Sequence, residues 1–336
     1  MTTSRDIARR AGVSQTTVSR VLQASPNVSE PVRERVRRAM AEMNYRPNAR
    51  ARAMKMQRTG TFGVLVARIT NPFYPQLLDR LTHAMGEHGR RAVVWDAESS
   101  GEQAAIEALH EGAVDGLVHG AATDVTPELQ ALLDRQAPIV FVNRRIPGDA
   151  CDQVVSDNLR GASRLADYFV DHGRRRIAIV GGPQQISTFR EREAGFVGRL
   201  RERGVALPTE VARVPAASYH TGQAAMRSLL EGAARPDAVF CVNDALALGA
   251  IDAARIAGVA IPAELWVAGY DDVDMASWRA FDLTTVRQPM QQMARMAVEL
   301  LLQRLREPGR EGRVHQVRGD LVVRGSTAGA PAAAAG

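Results

Sequence analysis

Cysteine is almost missing from these 336 residues: Cys151 and Cys241 stand far apart, with no metal-ligand spacing around either. That excludes a disulfide framework and a cysteine metal site, and leaves two inert thiols in a reducing compartment as the expectation. Aromatic residues make up only 5% of the chain, and no apolar run approaches the roughly 20 residues that a membrane helix needs. No signal peptide precedes Arg5, so the expected location is the cytoplasm, in association with the nucleoid, with no membrane partner. Catalytic and phosphate-binding motifs are missing too. There is no Gly-x-Gly-x-x-Gly after a strand, no P-loop, no His-Glu-x-x-His and no Gly-x-Ser-x-Gly, and the seven histidines do not cluster. No enzyme, cofactor or metal site is expected.

Lysine occurs once, as Lys55, and the other 42 basic residues are arginine. That preference is what a GC-rich coding sequence produces, so the placement of the arginines says more than their number. Residues 1–60 hold 13 basic residues against 4 acidic ones, whereas the remainder holds 30 against 33. A basic block on a near-neutral body is the footprint expected where phosphates are neutralised.

The basic block opens with Thr3 and Asp6 at capping-box spacing, followed by an apolar stripe of Ile7, Ala8 and Ala11. Gly12 stands where a helix stops with a left-handed residue, and Ser14 stands where the next helix would be capped. Two short helices around a Gly-containing turn read as a helix-turn-helix. Val18, Val21 and Leu22 face inward at helical spacing, leaving Gln15, Thr16, Ser19 and Arg20 outward near the end that enters a major groove. The same periodicity also suits an ordinary small helical hairpin; the segregated charge favours the DNA reader.

This segment resembles the DNA-binding headpiece of the lactose-repressor (LacI/GalR) family. The likeness rests on Ala11-Gly12-Val13-Ser14 through Thr17-Val18-Ser19-Arg20-Val21, on Val28-Ser29, and on Asn44-Tyr45-x-Pro47-Asn48. It extends over nearly the whole chain, to about Ser326. It implies a transcriptional regulator that binds a pseudo-palindromic operator in double-stranded DNA as a homodimer. Gln15, Thr16 and Arg20 would contact base edges, and Ser14 and Ser19 the backbone. Residues 48–55 would be a hinge helix that orders over the operator centre. Pro47 separates it from what precedes, Asn48 can cap it, and so short a helix is marginal alone. Arg50, Arg52 and Lys55 supply phosphate contacts, and Met54 would be the minor-groove wedge. Packing between hinge and body is the other role open to Met54.

From Phe62 the pattern changes to alternating strands and helices, with strands expected at Phe62–Val66, Ala92–Trp95, Gly116–His119, Ile139–Val142, Arg176–Val180, Ala238–Val242 and Leu265–Ala268. Strand then helix, repeated, means parallel sheets covered by helices on both faces, with ligands at the carboxyl ends of strands. The resemblance implies a periplasmic-binding-protein-like α/β core of two doubly wound lobes around a cleft. The expected division is a headpiece at 1–47 and a hinge and linker at 48–60. Lobe 1 follows at about 61–157 with 285–317, and lobe 2 at about 158–284 with 318–326. A disordered tail would occupy 327–336. A small-molecule effector would meet Asn143, Arg192, Asn243 and Asp271, with Phe73, Tyr74 and Gln288 nearby. For Asp271 and Asp272 the competing role is loop capping. Two departures blur the ligand: Asn143 stands where several sugar-binding members have Asp, and Ala217 where many have an aromatic wall. Tyr219 is the expected substitute wall, and Arg190 a second cation that would suit an acid. The effector is thus expected to be a sugar, sugar acid or related polar metabolite. A transport-type solute-binding protein shares the core fold and is the alternative, but it has no helix-turn-helix.

Overall fold

The computed structural model describes residues 2–22, 25–45, 58–98, 100–205 and 211–328. Internal contacts divide the chain into two units, Met1–Thr59 and Gly60–Gly336. The first unit holds α1 (Ser4–Ala11), α2 (Gln15–Leu22) and α3 (Glu30–Glu42). Local chemistry sets each boundary. The Asp6 carboxylate accepts the Thr3 amide at 3.0 Å while the Thr3 hydroxyl takes the Asp6 amide at 3.4 Å. Gly12 ends the helix at φ 63, in the left-handed region that a Cβ disfavours. Ser14 then caps α2, its Oγ accepting from the Thr17 amide at 3.1 Å. Ile7, Val18 and Val36, one from each helix, are fully buried and join the three into one small core with Ala8, Ala11 and Ala39.

In the second unit, the first sheet has the order β11-β5-β4-β3-β1-β2. In chain order its strands are β1 (Thr61–Val66), β2 (Arg91–Asp96), β3 (Gly116–His119), β4 (Ile139–Val142), β5 (Asp152–Ser156) and β11 (Val314–Val317). All its pairings are parallel. The second sheet, order β7-β6-β8-β9, is also parallel and comprises β6 (Ile177–Gly181), β7 (Val211–Arg213), β8 (Ala238–Cys241) and β9 (Trp266–Ala268). β10 (Thr285–Arg287) and β12 (Asp320–Val322) pair antiparallel beside them. Helices cover both faces, so central strands such as Ile139–Val142 and Ala238–Cys241 are buried along their whole length. Each sheet centres its own apolar core. The connection after β10 carries the chain back to the first lobe, where α11 (Met290–Arg306) buries Met293, Ala297 and Leu301.

Two expectations need correction. The strand Asp152–Ser156 escaped periodicity because its ends are polar, yet all of it is buried. Its first residue is matched by the buried Arg304, whose Nε donates to Asp152 at 2.8 Å. The helix that carries Arg192 starts at Ser187, so Ser187–Arg190 form its first turn. A tail starting at 327 begins too early. Thr327 is fully buried, its hydroxyl 2.7 Å from that of Thr284 and 3.1 Å from that of Tyr168. The remainder of that expected tail, from 329, lies outside the described residues.

Candidate functional site

Two sets of residues emerge, one in each unit. In the first, the cap Ser14 and, on α2, Gln15, Thr16 and Arg20 are all exposed while Val18 points into the core. Ser14 is occupied as the cap, Ser19 is half-buried, and the Gln15 amide donates to the Ser4 hydroxyl at 2.8 Å. The helix thus presents its amino-terminal half outward, with Gln15 steadied by the start of α1. Asn48, Arg50, Arg52, Met54 and Lys55 lie outside the described residues.

In the second unit, the loops at the carboxyl ends of strands converge on Arg192, which sits on α8 (Ser187–Glu202). Only 2% of Arg192 is exposed. Its Nε donates to Asn158 Oδ1 at 2.9 Å and its Nη1 to the Val242 carbonyl at 2.8 Å. Nη2 lies 3.0 Å from Asp271 Oδ1, and the guanidinium stacks over Tyr270 at 3.9 Å. Gln288, at the root of α11, donates to the same Asp271 oxygen at 2.7 Å. Asn243 caps α10 (Asp244–Ile256), accepting from the Leu246 amide at 3.0 Å. Asn143, at φ 70, directly follows β4, and its Oδ1 is buried without a hydrogen-bond partner, as is Gln288 Oε1. Tyr74 is buried, feels the charges of Arg144, Asp271 and Arg192, and packs edge-on against Phe73 at 5.3 Å. A cavity of about 670 Å³ between Arg80 and Arg287 meets this cluster only at Gln288.

Two expected residues are not part of this cluster. Arg190 is exposed, and its guanidinium donates to the Gln184 carbonyl at 2.8 Å. Tyr219 begins α9 (Tyr219–Glu231) and its hydroxyl is engaged by Asp252 of α10, so it forms no wall for the Arg192 cluster. Sequence reasoning missed Asn158, Arg144, Tyr270 and Ser187. Arg144 donates to the Ala121 carbonyl at 2.8 Å, and its Nε is buried without a partner. The Ser187 hydroxyl accepts the Arg145 amide at 3.0 Å, linking the two lobes, and Arg145 lies 3.9 Å from Glu191.

Burial dominates the electrostatics. It raises the Asp271 carboxyl above its ordinary value despite the opposing pull of Arg192. Burial, with Asp271 nearby, pushes Asp244 up to about 7, and burial takes the Tyr270 hydroxyl to about 12. Among the described residues there is no cluster of metal-ligating side chains, and no helix is long and apolar enough to cross a membrane.

Known proteins share this plan. Residues 3–48 match the family of bacterial regulatory proteins of lacI type, and residues 166–327 match a periplasmic binding protein-like domain. The chain is 33% identical to the ribose operon repressor of Escherichia coli (strain K12), over 97% of this chain and 100% of that one. It is 32% identical to the transcriptional repressor PurR of Vibrio vulnificus (strain CMCP6), over 96% of this chain and 98% of that one. Among solved structures, the Lac repressor dimer bound to operator and the anti-inducer ONPF matches 97% of this chain and 99% of that one, with TM-score 0.85 and 27% identity. A LacI family regulator from Enterococcus faecium with bound ribose matches 80% of this chain and 98% of that one, with TM-score 0.70 and 27% identity. Headpiece, two-lobed core and full-length similarity agree, and the chain belongs to the LacI family of DNA-binding bacterial transcription regulators.

Proposed function

We propose that the chain is a repressor that binds a pseudo-palindromic operator as a homodimer and is controlled by a neutral polyhydroxylated effector. The observation that carries the DNA half is the exposed Gln15, Thr16 and Arg20 row on a capped helix over a buried core, within a basic segment. Gln15 and Thr16 discriminate bases, and Arg20 reads a base edge or anchors beside it. Binding should weaken steeply with salt, because neutralised phosphates release counterions. Fluorescence anisotropy on a cognate duplex tests this; salt-independent binding by wild type would refute it. The chain is read as working by binding, and turnover of a candidate ligand by the pure protein would contradict that.

The cleft supports the effector half. Arg192 already gives its donors to Asp271, Asn158 and Val242, and Asp271 balances its charge. The cleft presents two buried acceptors without partners, Asn143 Oδ1 and Gln288 Oε1, against one such donor, Arg144 Nε. Acceptors of that kind call for hydroxyl donors, so a sugar suits the site better than an acid, contrary to what Arg190 suggested. The likeness to a ribose operon repressor and to a regulator solved with bound ribose supports the same choice. A thermal-shift screen against sugars, sugar acids and purines tests it. Stabilisation by a neutral sugar that Asn143→Ala abolishes is expected, and a response to acids alone would reverse the reading.

For assembly, the apolar residues of α4 (Phe73–Glu87) face its own lobe, with Phe73, Leu77 and Leu81 all buried. β2 is an edge strand with Val93 42% and Val94 37% exposed. Such an edge invites pairing, and we assign the dimer contact of the first lobe to it. The alternative of a transport-type binding protein leaves the helix-turn-helix without a purpose.

A further inference from the structure

We propose that Asp244 is the positioning residue that clamps the Asp271–Asp272 turn and ties it to the crossover strand β10. The allosteric meaning rests on Asp271 being an effector contact, whereas the mechanical link is a property of the chain alone. Asp244 opens α10, directly after Asn243, and is fully buried. Its amide donates to the Tyr270 carbonyl at 2.8 Å, and its Oδ2 accepts the Val273 amide at 2.9 Å. One residue therefore holds the backbone on both sides of Asp271 and Asp272, which stand at φ 130 and φ 58. Side chains rarely adopt such backbone, and it persists only where the surroundings over-determine it. The other oxygen, Oδ1, accepts the Thr285 hydroxyl of β10 at 2.6 Å. Three residues further on, the Gln288 amide donates to the Asp271 carbonyl at 3.2 Å, closing the circuit from turn to strand.

The residue types fit this role closely. Asparagine has one acceptor oxygen where Asp244 must serve two donors. Gly269 leaves the room needed, since a Cβ there would lie 2.2 Å from Asp244 Oδ1. Among the described residues no cation comes within ion-pair distance of Asp244. The titratable groups facing it are Asp271 and Asp272 on the turn and Cys241 from β8, while Arg192 is committed to Asp271. The carboxyl consequently sits at about 7, so the closed clamp holds its proton more tightly than an opened and hydrated one would. Whatever occupies Asp271 can thereby alter the hold on β10, the strand that leads into α11 and the first lobe.

Hydrogen exchange on the full-length protein tests this without any effector. Thr285→Val should speed exchange of the Val273 and Gln288 amides at least tenfold, leaving Ile179 and Phe240 in the second sheet unchanged. Thr285→Ser, which keeps the hydroxyl, should restore protection. In wild type, Val273 protection corrected for intrinsic rate should rise as pH drops through 7, because opening gives up the tightly held Asp244 proton, and Asp244→Asn should abolish that dependence. Unchanged Val273 and Gln288 rates in Thr285→Val, or uniform loosening that includes Ile179 and Phe240, would overturn the proposal. Should Thr285→Val fail to fold, pH-independent protection in wild type between 5 and 8 would overturn it equally. Failure to bind an operator would refute the proposed function and leave these rates untouched.

Discussion

Arg192 shows how one residue can hold a site together. Its guanidinium is buried with Asp271, and such a pair is costly to break because the surviving charge is left without compensation, by about 3–5 kcal/mol. Arg192→Ala should therefore destabilise the core by that order in urea unfolding, and Arg192→Lys should recover little, since an ammonium cannot reproduce the fork to Asp271, Asn158 and Val242. A change below about 1 kcal/mol in Arg192→Ala would show that the cluster is not a structural unit. Asp244 gives a pH prediction. Its folded value, about 7, lies above the ordinary 3.8, so the folded state binds the extra proton between these limits. Stability from this group is accordingly highest at acid pH and declines as pH rises from about 4 to 7; Asp244→Asn should flatten the decline, as chemical denaturation across that range would show. Sequence arithmetic could have separated Arg192 from Arg190. Two residues along a helix turn it by about 200°, and Arg192 shares a face with Phe189 and Phe196, both buried, whereas Arg190 does not. Asp244 was legible only as a polar loop residue, because Thr285 and Val273 reach it through tertiary packing.

Element boundaries in the headpiece were plain in the sequence, since capping boxes and glycine stops are local chemistry. Gly12→Ala should cost about 1 kcal/mol of headpiece stability at φ 63, and Ser14→Ala about the same through the lost cap. Both are measurable by thermal unfolding, and a neutral Ser14→Ala would mean that α2 does not depend on its cap. β5 was not legible, because a strand reading Asp-Gln-Val-Val-Ser is buried only through distant partners such as Arg304. β2 was legible as a strand but not as an edge, which depends on the order of the whole sheet. Charging that edge should act on assembly rather than folding: Val93→Lys with Val94→Glu is expected to yield monomers by light scattering with little change in circular dichroism. A persistent dimer would place the contact elsewhere.

Over the whole molecule, the account joins a basic reading unit to a larger core whose lobes meet through Arg145 with Ser187 and through Gln288 with Asp271. Effector control requires that the ligand favour one arrangement of those lobes over another, since equal affinity for both would shift nothing. The lobes themselves were legible from strand and helix alternation, while their pairing across the cleft was implied only by family resemblance and is seen in the structure. The central claim is that α2 reads DNA sequence through Gln15 and Thr16. Selecting binding sites from a random duplex library tests it most directly, with wild type and with variants exchanged at those two positions. The account predicts one symmetric motif for wild type and a changed base preference at the same half-site positions in the variants. Recovery of no symmetric motif, or of an identical motif from all the proteins, would contradict it.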